Sequence, residues 1–271
     1  MQKVYAIGDI HGKFQPIRDF WLRSKLEQKI SANREDNTLI LLGDSGLNYF
    51  FNHRDRELKA KLSKYPFTYF IVRGNHEERA SECAKKNPDD WHIEIFWGGE
   101  VLVENDYPYI KYACDGPGVY EIPCEDKIYK TLVLPGAYSV DKDYRLYMGY
   151  AWFEQEQMSP VEANFAWDLI EQNNNSFDLI LSHACPIMFE PTDLFLPMVD
   201  QNLVDKSMER FLGSVEYHVD YKLWCFGHYH STRVYPLQND ASQPLMLYND
   251  KVINLNEWMK AISHKSIGQF L

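Results

Sequence analysis

The 271-residue chain is 45% hydrophobic, 25% charged and 15% aromatic, enough apolar material for a sizeable core. Its formal net charge of -11 argues against a general nucleic-acid coat or an anionic membrane surface, both of which reward surplus Lys and Arg. A phosphate ester held through metal ions stays open, because bound cations supply charge that a residue count misses. Cys83, Cys114, Cys124, Cys185 and Cys225 are scattered, form no CxxC pair and read as reduced thiols of a cytoplasmic protein. No long apolar segment follows a basic N-terminal one, and no run approaches the roughly 20 apolar residues that cross a bilayer. Neither a signal peptide nor a membrane span is expected.

The first third alternates strands and helices. "KVYAIGD" is a β-branched and aromatic run that predicts a strand. "FQPIRDFWLRSKLEQKI" predicts a helix, with Phe14, Ile17, Trp21 and Ile30 near helical spacing and Pro16 confined to the first turn. A second buried strand, "NTLILLGD", leads to a polar helix, "HRDRELKAKLSKY", and then to a third strand, "FTYFIVRGNH". "EERASECAKKN" predicts a short helix ended by Pro88, with Glu77 and Glu78 favouring its N-terminal dipole. This βαβαβ pattern argues for a mostly parallel sheet covered by helices.

From Trp91 to about Asp126 the chain is rich in Gly, Pro, Tyr and charge, and only "VLVEN" and "GVYEI" suggest hairpin strands. "IYKTLVLPGAYSV" resumes a strong strand. "MSPVEANFAWDLIEQNNN" predicts a helix with Ser159 as N-cap, Pro160 at the first position and Glu162 completing a capping box. "FDLILSHACP" is another buried strand. A Pro- and Met-containing insertion over 187–213 precedes the strand "YKLWCFGHYH", and short strands in "TRVYPL", "PLMLYN" and "KVINLN" close the chain. Without a repeat or a linker, residues 1–271 read as one domain with insertions near 91–126 and 187–213.

In α/β sheets, ligands bind beyond the carboxyl ends of the strands. Five predicted strands end there in metal-ligating residue types: Asp9 and His11, Asp44, Asn75 and His76, His183, and His228 and His230. In extended chain, positions i and i+2 share a face, so "DIH" and "HYH" each present two ligands together. Singly, each is as well explained by a turn or a capping histidine; jointly they point to a metal site. Mixed carboxylate and imidazole ligation suits Mn, with Fe or Zn as alternatives, and a pair of ions needs a bridging carboxylate, for which Asp44 is the candidate. Two divalent ions can clamp a phosphate and lower the pKa of a bridging water for in-line attack.

"GDIHG", "GDSG", "RGNHE", "SHACP" and "GHYH", in that order, resemble the calcineurin-like metallophosphoesterase superfamily, in a bacterial or phage-type form. The resemblance implies a two-sheet β-sandwich flanked by helices, a four-layer αββα fold, and a dinuclear phosphoesterase in which a metal-bridging hydroxide attacks phosphorus. It assigns Asp9, His11 and His230 to one metal, Asn75, His183 and His228 to the other, and Asp44 to both. His76 matches the histidine near the leaving group, as general acid or as electrostatic support. Arg73 matches an arginine that contacts phosphate, and otherwise reads as a surface residue closing a strand. The chain departs from the protein-phosphatase branch at "GDSGLNYF", where Leu47 and Asn48 stand in place of an acid and an arginine. A small phosphoester or nucleotide substrate is therefore expected ahead of a phosphoprotein, with a non-catalytic scaffold as a third reading. Nucleic acid is a less favoured substrate, suggested by the aromatic residues between Trp91 and Tyr120. Lys142 and Arg145, in "GAYSVDKDYR", are read as a solvated loop or as substrate contacts.

Overall fold

The computed structural model describes residues 2–125, 127–239 and 241–264. Strands β1 (Lys3–Ile7), β2 (Asn37–Leu42) and β3 (Thr68–Val72) alternate with helices α1 (Gln15–Leu26), α2 (His53–Leu62) and α3 (Ala80–Lys86). Next come β4 (Trp91–Phe96), β5 (Gly99–Glu104), β6 (Ile110–Ala113), β7 (Gly118–Cys124) and β8 (Lys127–Leu134). Helices α4 (Lys142–Met148) and α5 (Pro160–Gln172) precede β9 (Leu179–Ser182), and α6 (Ser207–His218) precedes β10 (Leu223–Phe226). The chain continues through β11 (Arg233–Val234), β12 (Gln243–Met246) and β13 (Ile253–Asn254) to α7 (Leu255–Ser263).

Two mixed sheets result, ordered β13-β1-β2-β3-β6-β5-β4 and β11-β12-β10-β9-β8-β7. Parallel pairing runs from β1 through β2 and β3 to β6, and from β8 through β9 and β10 to β12. Alternation along the strands then sets the layers. Val4 and Ala6 of β1 enter a core between the sheets with Leu181, Cys225 and Leu245. Tyr5 and Ile7 point outward to Ile17 of α1 and Leu62 of α2. On the opposite outer face, Ile180 and Trp224 meet Ile170 of α5 and Leu212 and Val215 of α6. The architecture is the expected helix-sheet-sheet-helix sandwich.

Several local expectations change. The 91–126 stretch is more regular than its composition suggests, because Trp97 and Gly98, both at positive φ, make the two-residue turn of a β4–β5 hairpin. The hairpin strands "VLVEN" and "GVYEI" do not pair with each other: β5 lengthens the first sheet and β7 the second. Asp126, where the sequence closed this insertion, lies outside the described residues. The 187–213 insertion runs into α6, whose buried Met208, Leu212 and Val215 have helical spacing. "KVINLN" holds only two strand residues. Asn254 then caps α7 by accepting from the backbone N–H groups of Asn256 and Glu257, and Leu255, Trp258, Met259 and Ile262 close one edge of the inter-sheet core. The Ser159–Glu162 capping box of α5 is present as expected.

Trp258 is 1% exposed. Trp258→Ala is expected to remove about 3–5 kcal/mol of stability, read as a fall in the urea unfolding midpoint.

Candidate metal centre

The sequence motifs follow immediately on the ends of β1, β2, β3, β9 and β10, whose last residues are Ile7, Leu42, Val72, Ser182 and Phe226. The geometry there is not the extended chain expected for "DIH" and "HYH". Asp9 (φ 43°), His11 (φ 44°), Asp44 (φ 48°), His228 (φ 74°) and His230 (φ 51°) all adopt left-handed backbone conformations. Such conformations are unfavourable for residues with a side chain, and they concentrate where surrounding structure enforces a functional geometry. The kinks send His228 down beside His183, with ring centroids 5.1 Å apart, and His230 across to His11. Gly43 (φ +81°) is required for the same packing, since a Cβ there would sit 2.1 Å from His183 Nδ1.

Two donor clusters form around Asp44. In the first, His11 Nε2 is 2.9 Å from His230 Nε2, Asp9 Oδ1 is 4.0 Å from His230 Nε2, and Asp44 Oδ2 is 3.8 Å from His11 Nε2. One donor atom from each of Asp9, His11, Asp44 and His230 lies within 4.8 Å of all the others. Ligands held at about 2.1 Å from one cation stand about 3 to 4 Å apart, so this set fits a divalent ion. In the second cluster His183 Nδ1 donates to the Leu42 carbonyl at 2.7 Å, which turns Nε2 toward Asn75 Oδ1 at 3.0 Å and Asp44 Oδ1 at 3.4 Å. The Asn75 amide nitrogen donates to Ser139 Oγ at 2.8 Å, so its oxygen must face inward. An imidazole nitrogen, an amide oxygen and a carboxylate oxygen thus converge, which suits a cation between them.

Residues that the motifs alone did not single out hold this arrangement. Glu77 is buried and does not begin α3. It accepts from Ser45 Oγ at 2.5 Å and from the Gly74 N–H at 2.8 Å, tying the loops that carry Asp44 and Asn75. The N-terminus of α3 is served instead by Asp115, which accepts from the N–H groups of Ala80 and Ser81 at 2.8 and 3.0 Å. Glu156 accepts from Ser139 Oγ at 2.5 Å and from Trp152 Nε1 at 3.0 Å, completing a chain behind Asn75. Orientation of ligands by such outer partners is general in metal sites. A glutamate inside "RGNHE" was visible in the sequence, but its partners are distant and were not.

His76 donates its backbone N–H to Asp44 Oδ1 at 2.9 Å, and its ring lies beside Arg145, whose Nη2 is 2.5 Å from Nδ1. Arg145 is not in a solvated loop: it is buried on α4, with Nε bonded to Asp141 at 2.8 Å and Nη1 to the Ala151 carbonyl at 2.9 Å. Lys142 lies 4.0 Å from the centre of the Trp152 ring. Arg73 is buried rather than at the surface, and it donates to the carbonyls of Gly74, Glu156 and Asp115 at 3.2, 2.8 and 3.3 Å.

The charges are set by burial and by one another. Burial pushes the Asp9 carboxyl up to about 8 against the pull of His183, and the Asp44 charge adds to the rise. Burial would also raise Asp44, but its interactions with the imidazoles of His76, His183 and His11, with a hydrogen bond from His183, outweigh it and hold that carboxyl well below the usual range. For His183, burial lowers the imidazole, yet the Asp44 and Asp9 charges and the hydrogen bond to Asp44 carry it up to about 9. Asp9 and His183 therefore hold protons near neutral pH that an entering cation must displace. Mn²⁺ binding is expected to release protons and to tighten from about pH 6 to pH 9, measurable by calorimetry in buffers of different ionisation enthalpy.

The sequence model of the calcineurin-like phosphoesterase family matches residues 2–232. No curated protein sequence matches the chain. Among solved structures, TT1561 of Thermus thermophilus superposes with a TM-score of 0.52 at 11% identity, over 95% of this chain and 96% of that one. At that identity the likeness shows a shared fold alone. Phosphopantetheinyl hydrolase from Mycobacterium tuberculosis superposes with a TM-score of 0.46 at 13% identity, over 96% and 92% of the two chains. Among the described residues no helix is long and apolar enough to cross a membrane. With its family model spanning most of the sequence and its donor side chains gathered at the strand ends, the chain belongs to the calcineurin-like phosphoesterases and is a metal-dependent hydrolase of phosphoric esters.

Proposed function

We propose that the chain is a dinuclear phosphoesterase acting on a small phosphate mono- or diester. The observation that carries this reading is the placement of Asp44, whose Oδ2 faces His11 at 3.8 Å while its Oδ1 faces His183 at 3.4 Å. One carboxylate thereby serves both clusters. Asp9, His11 and His230 would hold one cation and Asn75, His183 and His228 the other, with Asp44 shared. The mixed oxygen and imidazole donors suit Mn, with Fe or Zn as alternatives. Bound there, the cations supply Lewis-acid charge for a phosphate and for an attacking water.

Burial lowers the His76 imidazole, Asp44 pulls it back up, and the Arg145 charge depresses it again, with a net lowering. A neutral imidazole offers an N–H to a departing oxygen, so we assign His76 electrostatic support of the leaving group rather than full proton transfer. Arg145 is a positioning residue in this reading, holding the His76 ring. Arg73 holds the Gly74 and Glu156 loops, since its bonds to carbonyls leave it little freedom to meet phosphate.

Two observations favour a small ester over a phosphoprotein or a polynucleotide. Leu47 is in the core and Asn48 is buried, so the loop after Asp44 supplies no phosphate-binding arginine. Trp97 and Tyr120 pack on Phe70, with ring centroids at 5.2 and 4.9 Å, which engages them inside the protein rather than on bases. The free and mostly buried cysteines fit a reducing, cytoplasmic setting.

With Mn²⁺ the protein is expected to hydrolyse p-nitrophenyl phosphate or its bis-ester. Asp44→Ala should lose both bound metal and turnover, by elemental analysis and product absorbance; unchanged metal content would refute the shared-ligand assignment. His76→Ala should keep its metal and slow turnover by about a hundredfold, most for esters with poor leaving groups.

A further inference from the structure

The candidate metal centre is one wall of a larger cavity of about 440 Å³, lined on that side by Asp44, Asn75, His76, His228 and His230. The opposite wall comes from the 187–213 insertion, where Leu194, Phe195, Leu196, Val199 and Val204 form an apolar stretch beside the polar Glu190, Gln201 and Lys206. Leu194 and Leu196 are 39% and 58% exposed, so apolar groups stand open at the mouth of an otherwise acidic site. Exposed apolar surface beside a polar centre is the usual composition of a pocket for an organic ligand.

The same side of the cavity also carries polar residues. Glu209, on α6, is 3% exposed, and its Oε2 has no hydrogen-bond partner. A buried carboxyl oxygen without a donor is unfavourable, so a donor brought to it by a ligand would be stabilised. Lys206, three residues before Glu209, is paired elsewhere, its Nζ 2.5 Å from Glu190 Oε1. Burial, with the Glu190 and Asp205 charges added against Lys206, pushes Glu209 up to about 7. With Glu190 and Asp205 acidic and Lys206 paired, the surroundings of Glu209 favour a cationic donor.

We propose that this insertion selects phosphoesters whose organic part is apolar and carries an amine, the ammonium being received by Glu209 while the phosphate sits at the metal centre. The inference rests on the phosphoesterase reading above and adds to it the chemical class of the esterified group.

Para-substituted phenyl phosphates test it, with aminomethyl and aminoethyl groups compared with ethyl and propyl groups of matched shape. In the wild-type protein with Mn²⁺, kcat/KM is expected to favour an amine ester over its alkyl counterpart. Glu209→Gln should lower that preference by at least about tenfold, as loss of a hydrogen bond to a charged group requires. Comparing ratios between proteins cancels the intrinsic difference in leaving groups. Leu196→Lys, at an exposed wall position, should lower the same ratio by placing a rival cation in the pocket, and it decides the matter should the Gln variant not fold. An equal ratio in the wild type and the variants overturns the inference while leaving the phosphoesterase reading intact. Hydrolysis of none of these esters by the wild type overturns both.

Discussion

The structure around the centre depends on one carboxylate kept ionised in a buried place. Asp44 has almost no contact with water, yet its carboxyl stays well below the usual range beside the His183 imidazole, and it accepts the His76 backbone N–H at 2.9 Å as well. Its two oxygens face different partners, which divides the surrounding donors into two sets. An isolated buried charge of this kind is strongly unfavourable unless it is paired and hydrogen-bonded. The left-handed backbone at Asp9, His11, Asp44, His228 and His230, the glycine at 43 and the Glu77 brace all serve to keep that pairing in register.

The same arrangement creates a strong local demand for positive charge. It gathers acids and imidazoles whose lone pairs converge, and protons on Asp9 and His183 fill part of the role of cations. Divalent ions would replace those protons with more charge in less space. An overall charge of -11 therefore does not conflict with phosphate chemistry, because cations held at the centre would supply a local positive field.

The insertion adds a different kind of chemistry to this frame. The strand ends supply reaction geometry common to a family, whereas the 187–213 segment and α6 supply an apolar wall with one unanswered carboxyl. Rigid strand ends suit the donors, and a connecting segment suits the wall, where sequence can vary without disturbing the sheets. This division explains why family membership speaks to the reaction while the partner of the phosphate must be sought in the pocket.

The order of short motifs at the ends of apolar runs was enough to place Asp9, Asp44, Asn75, His183 and His228 at one rim, because strand alternation and the position of ligands in α/β sheets are local and general rules. The α5 capping box was legible for the same reason. Helix α7 was also written locally, in Asn254 followed by Leu255, Trp258, Met259 and Ile262, but a preceding β-branched run masked it. What the sequence did not contain was any pairing between distant residues. The burial of Arg73 under three carbonyls, the Arg145 contact to His76, the Glu77 brace and the placement of Glu209 in the lining of a cavity all join positions far apart in the chain. The residue types and their order determined the class of chemistry by themselves. Which arginine stands by the histidine, and which acid waits in the pocket, was decided only when folding brought separate elements into van der Waals contact.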